Sequence, residues 1–386
     1  MAKQKDPNEK INIFTLLKDL VGKDLTRVSM PVYLNEPISM LQRTSEIFEH
    51  TNALDAASEE KNQYKRLAYF MGFIIMNLAQ AVGRNKKPFN PLLGETFELN
   101  VGGMRGICEQ VSHHPPISAL HCENENFKVW GYFEPKSKFT FTKMLVTPKT
   151  QLYCYLKKSK EKFYLPKLPN SSVHNLLRGD LYVWHFGAFE VRNLTTGDKC
   201  QVEFKSHPMF GSLDFTFKGN VCDAEGNILT TGNEKLSLLG SWDKNLFCED
   251  PSLDKQLLIQ KKEKLPNSEF MFGFPKWSIE MSNLTKEQLL YICPSDSRLR
   301  PDQRAYENGD VDLAAAEKHR LEESQRRRRR IRKENDEQFT PRWFRKVEDV
   351  DTGEETYEYI GGYWETRETG DWDKWEIGKV IDLFND

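Results

Sequence analysis

Two adjacent histidines stand before two prolines in the stretch Glu109-Gln110-Val111-Ser112-His113-His114-Pro115-Pro116. A residue that precedes proline is pushed away from the α region, so His114 and Pro115 are expected to be extended. Each proline fixes its own φ and lacks an N–H. The imidazoles are therefore held on a stiff segment, and a stiff pair of imidazoles suits an anion, a metal or a proton transfer. A second set lies far along the chain, where Lys318, Glu322 and Arg326 follow one another at steps of four. At about 100° per residue each step drifts by only about 40°, so on a helix the three form one stripe. Taken alone, such a stripe is more often a solvated helix face. A lone histidine pair is likewise more often structural than functional.

Other chemistries find less support. His113, His114, His121 and Cys122 lack the spacing of a structural zinc site, so no metal is expected. Ser112 beside His113 belongs to no GxSxG elbow, and no nucleotide-binding loop is present, so an enzyme is not expected. The run Arg326-Arg327-Arg328-Arg329-Arg330 could by itself be a nuclear-localisation or nucleic-acid patch. The formal net charge of −2 gives no global pull toward nucleic acid, and none is expected as a partner. Any anion site must be built from local charge.

The elements that must position these groups follow from patterning. Ile11, Phe14, Leu17, Val21 and Leu25 recur at three- and four-residue spacing, which predicts an amphipathic helix weakened near its end by Gly22. Helices are expected over 39–50 and 54–82. The apolar run at 67–82 contains Asn77 and Gln80 and falls short of the roughly 18–20 residues of a membrane span, so it reads as a buried helix. From about 97 to 280 the texture changes to short runs rich in Val, Phe, Tyr, Trp and Thr, as at 127–133, 138–146, 151–156, 181–191, 200–205 and 214–221. Turn signals fall at Thr196-Gly197-Asp198 and Glu225-Gly226-Asn227. The spacing predicts an antiparallel meander closing into a barrel, because closure removes exposed edges, with room inside for a ligand. The charged stretch 243–264 is expected to be a loop. Residues 310–335 read as one long helix, with Asp310 and Asp312 in its first turn and Arg332 and Lys333 at the end where the dipole favours cations. A hairpin is expected at 343–364 around Asp351-Thr352-Gly353.

Composition sets the class. Hydrophobic residues are 38% and charged residues 29% of 386, the balance of a soluble globular chain. Seven cysteines are scattered singly with no CxxC pair, which points to free thiols in a reducing compartment. The first ten residues are polar and show no secretory signal, so a cytoplasmic protein is expected.

The histidine stretch resembles the fingerprint of the oxysterol-binding-protein-related family. Lys87-Pro88-Phe89-Asn90-Pro91-Leu92-Leu93-Gly94-Glu95 resembles its second signature, and Ser297-Arg298-Leu299-Arg300-Pro301-Asp302-Gln303-Arg304 its third. Met30-Pro31-Val32 and Asn35-Glu36-Pro37 look like its entry segment. The resemblance covers about residues 11 to 365. It implies an α+β, mainly β fold: a large antiparallel β-barrel enclosing a lipid tunnel, with an N-terminal lid and helices and a C-terminal helical subdomain. The expected segments are 1–30 with the lid, 31–96 helical, 97–290 barrel and 291–386 C-terminal. Ile11, Phe14, Leu17, Val21 and Leu25 would then cover the tunnel mouth, where a helix docked on the core is the plainer reading.

By the same resemblance Lys87, Asn90, His113, His114, Lys318, Glu322 and Arg326 form a site for a phosphoinositide headgroup. The physics agrees, since a phosphomonoester carries roughly −1.5 to −2 charges and must be met by cations and donors. Glu322 cannot bind phosphate well and suits orienting Lys318 or Arg326. Adjacent extended residues point to opposite faces, so either the backbone bends between His113 and His114 or the phosphate sits edge-on. Gln80 lies near a family position that touches a sterol hydroxyl; capping the buried helix is its plainer role. Arg327, Arg328, Arg329 and Arg330 are expected to face an anionic membrane surface. The implied function is non-enzymatic: extraction of phosphatidylinositol 4-phosphate and its exchange for a sterol or another lipid between membranes. A sensor or scaffold without net transport, and phosphatidylserine as second ligand, are the alternatives. No cofactor is expected beyond the lipid ligands. The protein is expected to be a monomer, cytoplasmic and peripheral at membranes, at endoplasmic reticulum–Golgi or plasma-membrane contacts.

Overall fold

The computed structural model describes residues 30–84, 86–139, 143–175, 181–208, 212–228, 230–231, 234–250, 253–374 and 383–385. The stripe Ile11, Phe14, Leu17, Val21 and Leu25 lies outside the described residues.

Helix α1 (Met40–Ser45) starts at a capping box. Ser39 accepts from the N–H groups of Leu41 and Gln42, and the Gln42 side chain accepts from the Ser39 N–H at 3.0 Å. A 3-10 turn (Glu46–His50) leads to α2 (Asn52–Glu59) and α3 (Gln63–Ala79). The single helix expected over 54–82 is thus two. Asn62 accepts from the N–H groups of Tyr64 and Lys65 and restarts the helix, as its side chain favours. α3 is buried nearly all round, as its apolar run requires.

The strands are β1 (Asn35–Ser39), β2 (Lys87–Phe89), β3 (Thr96–Val101), β4 (Met104–His113), β5 (Pro116–Glu123), β6 (Phe127–Phe139), β7 (Met144–Leu156), β8 (Glu161–Leu165), β9 (Asn170–His174) and β10 (Tyr182–Asn193). They continue as β11 (Lys199–Phe204), β12 (Thr216–Cys222), β13 (Thr230–Thr231), β14 (Glu234–Lys235), β15 (Ser237–Ser241), β16 (Asn245–Asp250) and β17 (Leu253–Gln260). Thirteen of them form one antiparallel sheet in the order β17-β16-β15-β12-β11-β10-β8-β7-β6-β5-β4-β3, with β9 beside β7 and β10. The order is nearly the chain order, which is what a meander predicts. Three details differ from expectation. The run 138–146 spans the end of β6 and the start of β7. The stretch 243–264 contains β16 and β17 rather than a loop; β17 ends the sheet, and its exposed Lys255 and Gln256 are polar side chains of the kind edge strands carry.

Closure of the barrel is the third. Among the described residues no ladder joins β3 to β17. The sheet curls, and its β3 edge is covered instead by the segment after Cys293. Thr96 N–H donates to the Ser295 carbonyl at 2.9 Å and Glu98 N–H to the Asp296 carboxylate at 3.1 Å. Covering an edge serves the same end as closing it.

The helices fill the curl. α1 packs against β3, β4 and β5, α2 against β6 and β7, and α3 against β10, β11, β16 and β17. Phe70, Phe73, Ile74 and Leu246 belong to the resulting core. Gly72 is where α3 meets β17: a Cβ there would stand 2.8 Å from the Ile259 Cγ2. A cavity of about 160 Å³ remains between α1 and the sheet, with Met40, Arg43, Ile47, Leu120, Leu152 and His185 on its wall. All seven cysteines are free and buried.

The C-terminal part comprises α4 (Lys276–Ser282), α5 (Gln288–Tyr291), α6 (Pro301–Glu307), α7 (Val311–Glu334), the hairpin β18 (Phe344–Glu348) and β19 (Glu355–Tyr359), and α8 (Tyr363–Thr369). α7 is the expected long helix. Asp310 caps it by accepting the Leu313 N–H at 3.0 Å, and Arg332 and Lys333 lie in the last turn. Trp343, Phe344, Tyr357, Tyr363 and Trp364 pack on Ile107, Ala119 and Tyr132, the sheet face opposite the helices. Buried Glu109 on β4 accepts both the Arg342 and Trp343 N–H groups at 2.9 Å, which ties this part to the sheet. No described helix is long and apolar enough to cross a membrane.

Candidate functional site

The site begins at β2. β1 pairs with it in parallel, Asn35 opposite Lys87, and the Asn35 amide donates to the Pro88 carbonyl at 3.1 Å. Two segments distant in sequence thereby fix where Lys87 leaves the backbone. After Asn90 the chain turns at Gly94, whose φ of +84° suits a residue without a Cβ and whose N–H donates to the Gln110 carbonyl at 2.9 Å. The third signature holds this turn from below. Arg300 donates to the Asn90 carbonyl at 2.8 Å and to the Glu95 carboxylate at 2.9 Å, and pairs with Asp302 at 2.7 Å. Glu95 also accepts from the Leu92 N–H at 2.9 Å and the Ser297 hydroxyl at 2.6 Å. Burial raises the Glu95 carboxyl, while these donors and Arg300 favour its charge.

His113 ends β4, and His114 and Pro115 form the turn into β5. They lie in a turn rather than within a strand, and the His114–Pro115 peptide bond is cis. The chain bends between the two rings, which sit edge to face with centroids 4.7 Å apart and 68° between planes. His114 is exposed and His113 half-buried.

α7 forms the opposite wall. Leu321 anchors it against Leu92, Leu383 and Phe384. Lys318 pairs with Glu322, and Arg326 lies 3.7 Å from the other Glu322 oxygen. The expected stripe is present, and Glu322 stands between its two cations.

These parts enclose one cleft of about 630 Å³. Lys87, Asn90, His113, His114, Lys318, Glu322 and Arg326 all line it. Arg300, Gln325 and Arg329 line it too; none was assigned to the headgroup site, and Arg329 was expected at the membrane surface instead. Gln325 and Arg329 are each one turn from members of the stripe, so helical geometry could have pointed to them. The contact from Arg300 to the Asn90 carbonyl spans 210 residues and has no local signal.

The electrostatics are those of an anion site. Lys87 donates to the Asn90 amide oxygen at 3.1 Å. Burial, then the nearby Lys318 charge, push its ammonium down to about 8. Burial, then His114, hold His113 down at about 4. Burial and the neighbouring cations disfavour charge on both groups, and a bound anion would reverse that.

The remaining candidates lie elsewhere. Gln80 caps α3; its amide donates to the Glu49 carboxylate and lies 3.3 Å from the His50 ring. Leu78 and Ala81 line the 160 Å³ cavity, and the Gln80 side chain turns away from them. The arginine run is divided. Arg327 and Arg330 are exposed, Arg328 donates to the Leu383 carbonyl at 3.3 Å, and Arg329 lines the cleft. His121 is buried on β5 against Tyr359, with Glu123 3.5 Å from its Nε2. No group of three or more described His, Cys, Asp or Glu residues is placed to hold a metal.

A curled antiparallel sheet wrapped on helices, with a cationic cleft at its mouth, is the architecture of a lipid-binding domain. The chain belongs to the oxysterol-binding protein family, whose model matches residues 12–368. Oxysterol-binding protein-related protein 6 of Mus musculus is 37% identical over 362 residues, 92% of this chain and 37% of that protein. Oxysterol-binding protein homolog 1 of Saccharomyces cerevisiae is 34% identical over 395 residues, 96% of this chain and 33% of that protein. The chain spans less than half the length of several such relatives. Among solved structures, the Osh1 ORD domain in complex with cholesterol matches with a TM-score of 0.86 at 32% identity, covering 98% of this chain and 93% of that one. The Osh3 ORD in complex with PI(4)P from Saccharomyces cerevisiae matches with a TM-score of 0.83 at 30% identity, covering 98% of both chains.

Proposed function

We propose that this chain is a lipid-transfer domain that binds the headgroup of phosphatidylinositol 4-phosphate in the cleft between β2, the β4–β5 turn and α7, and exchanges this lipid for a sterol or another lipid between membranes. The observation that carries the reading is the convergence of Lys87, His113, His114, Lys318 and Arg326 on one cleft from three distant parts of the chain. A phosphomonoester of roughly −2 charge is a fitting occupant for such a set. The 160 Å³ cavity between α1 and the sheet, with Ile47, Leu78, Leu120 and Leu152 on its wall, is the apolar space from which a path for lipid tails would open, each buried CH₂ being worth about 0.8 kcal/mol. Complexes of related domains with cholesterol and with PI(4)P support one fold taking both lipids. Binding and release break no covalent bond, so the role is non-enzymatic. The protein acts peripherally at cytoplasmic membrane faces, with Arg327 and Arg330 toward the anionic surface.

The test is extraction. The double variant His113→Ala/His114→Ala should fold normally and fail to remove phosphatidylinositol 4-phosphate from liposomes. Normal extraction by that variant overturns the site assignment.

A further inference from the structure

Gln325 stands on α7 beside the stripe and carries no charge, yet it hydrogen-bonds the His113 ring. Its amide oxygen accepts the Leu93 backbone N–H at 2.8 Å. That N–H can only donate, so the oxygen end of the amide is fixed toward Leu93. The NH₂ end therefore faces His113, whose Nε2 lies 2.8 Å away. An amide NH₂ only donates, so His113 Nε2 must accept, and the single ring proton sits on Nδ1. A doubly protonated ring would set N–H against N–H at this distance. In the empty cleft His113 is thus neutral, with its Nε2 lone pair occupied, and offers that nitrogen to no phosphate.

We propose that Gln325 is a positioning residue of the headgroup cleft: it parks His113 as the neutral Nδ1–H ring while the cleft is empty and releases it to an entering phosphate monoester, whereupon Nε2 takes one proton from solvent. The proposal rests on the phosphoinositide reading above. The surrounding charges agree with it. Burial opposes a charged ring, as do His114 from the turn and Arg329 from α7, while the Pro91 carbonyl and Glu322 favour one, and the net effect holds the ring neutral. Lys87 from β2, Arg300, and Lys318 and Arg326 from α7 also line the space and add positive charge. A bound phosphate of roughly −2 reverses the balance, and a protonated Nε2 becomes a charge-assisted donor to it.

The probe is soluble dioctanoyl phosphatidylinositol 4-phosphate, titrated into the full chain by calorimetry at pH 7 in two buffers of different ionisation enthalpy. At that pH Lys87, at about 8, takes up about a tenth of a proton. A phosphomonoester, titrating near 6, releases about as much, so the two nearly cancel. Uptake of about one proton by the wild type is the expected result. Long-range ¹H–¹⁵N spectra of the empty protein should show His113 as the Nδ1–H tautomer. Gln325→Glu keeps an acceptor for Leu93 and turns its second oxygen to His113, so the ring is charged before ligand arrives and uptake falls toward zero. A merely structural tether would lower affinity in this variant without moving the proton count. Binding without proton uptake, an Nε2–H ring in the empty protein, or full uptake in Gln325→Glu overturns the proposal and leaves the headgroup reading standing. If the wild type does not bind the probe, both fall.

Discussion

Lys87 shows how a single residue can serve binding at the expense of stability. Its folded value of about 8 lies below the ordinary 10.5 of a lysine, so at pH 7 the folded chain carries a charge it holds poorly. Between those two values the unfolded chain binds a proton that the folded one has lost, so stability rises with pH across that window. Lys87→Met should therefore melt higher than the wild type at pH 7 and lack the rise above pH 8. It should also bind soluble phosphatidylinositol 4-phosphate about ten- to a hundredfold more weakly, the loss of a charge-assisted bond of roughly 1.5–3 kcal/mol. Thermal melts at pH 7 and pH 9.5 with a binding titration check both halves. A variant less stable than wild type at pH 7 would mean that Lys87 supports the fold.

At the scale of elements, the join between the sheet and the C-terminal part passes through Glu109. Burial holds its carboxyl up at about 7, above the ordinary 4.5 of a glutamate, despite the Arg342 and Trp343 N–H groups it accepts. A folded value above the unfolded one gives stability that is full below 4.5 and lost as pH rises through 7. The stability advantage of the wild type over Glu109→Gln should shrink along that interval. Urea unfolding of both proteins at pH 5 and pH 8 measures it, and a constant difference would refute the assignment. Glu109 belongs to the stretch first read for its histidines, and nothing local marks it as a tie to residues more than 200 positions away. Legibility followed the range of the interaction. The Lys318, Glu322 and Arg326 stripe and the Asp310 cap are set by spacing within one helix and could be read directly. β16 and β17 were hidden because Glu249, Lys255 and Gln256 interrupt their apolar residues and their burial comes from α3, far back in the sequence. The bend between His113 and His114 was one of two arrangements the residues allowed, and the pairing of β4 with β5, His113 opposite Pro116, is the long-range fact that selects it.

For the whole molecule, the divided arginine run separates two kinds of attraction. Arg329 lines the cleft and Arg328 holds the chain end, which leaves Arg327 and Arg330 facing outward. Replacing these two by glutamine should weaken docking to anionic liposomes at low salt and have little effect near 1 M, where the Debye length is about 3 Å. Affinity for the soluble headgroup lipid should hardly change. Liposome sedimentation at two ionic strengths beside a solution titration checks this. Equal loss in both assays would place the two arginines at the headgroup instead.

The buried cysteines give the same curled wall a set of chemical reporters. They sit on β4, β5, β7, β11, β12 and β16 and just before the segment that covers the β3 edge. Burial raises the thiols of Cys108, Cys122, Cys154, Cys200, Cys222 and Cys293 above their usual range, so none of these six is reactive while the wall around it stays packed. A thiol reagent can enter only where the wall opens, and the cysteine it marks names the strand that moved. The rate at each position then maps which part of the enclosure yields when a lipid passes, with no probe added to the chain.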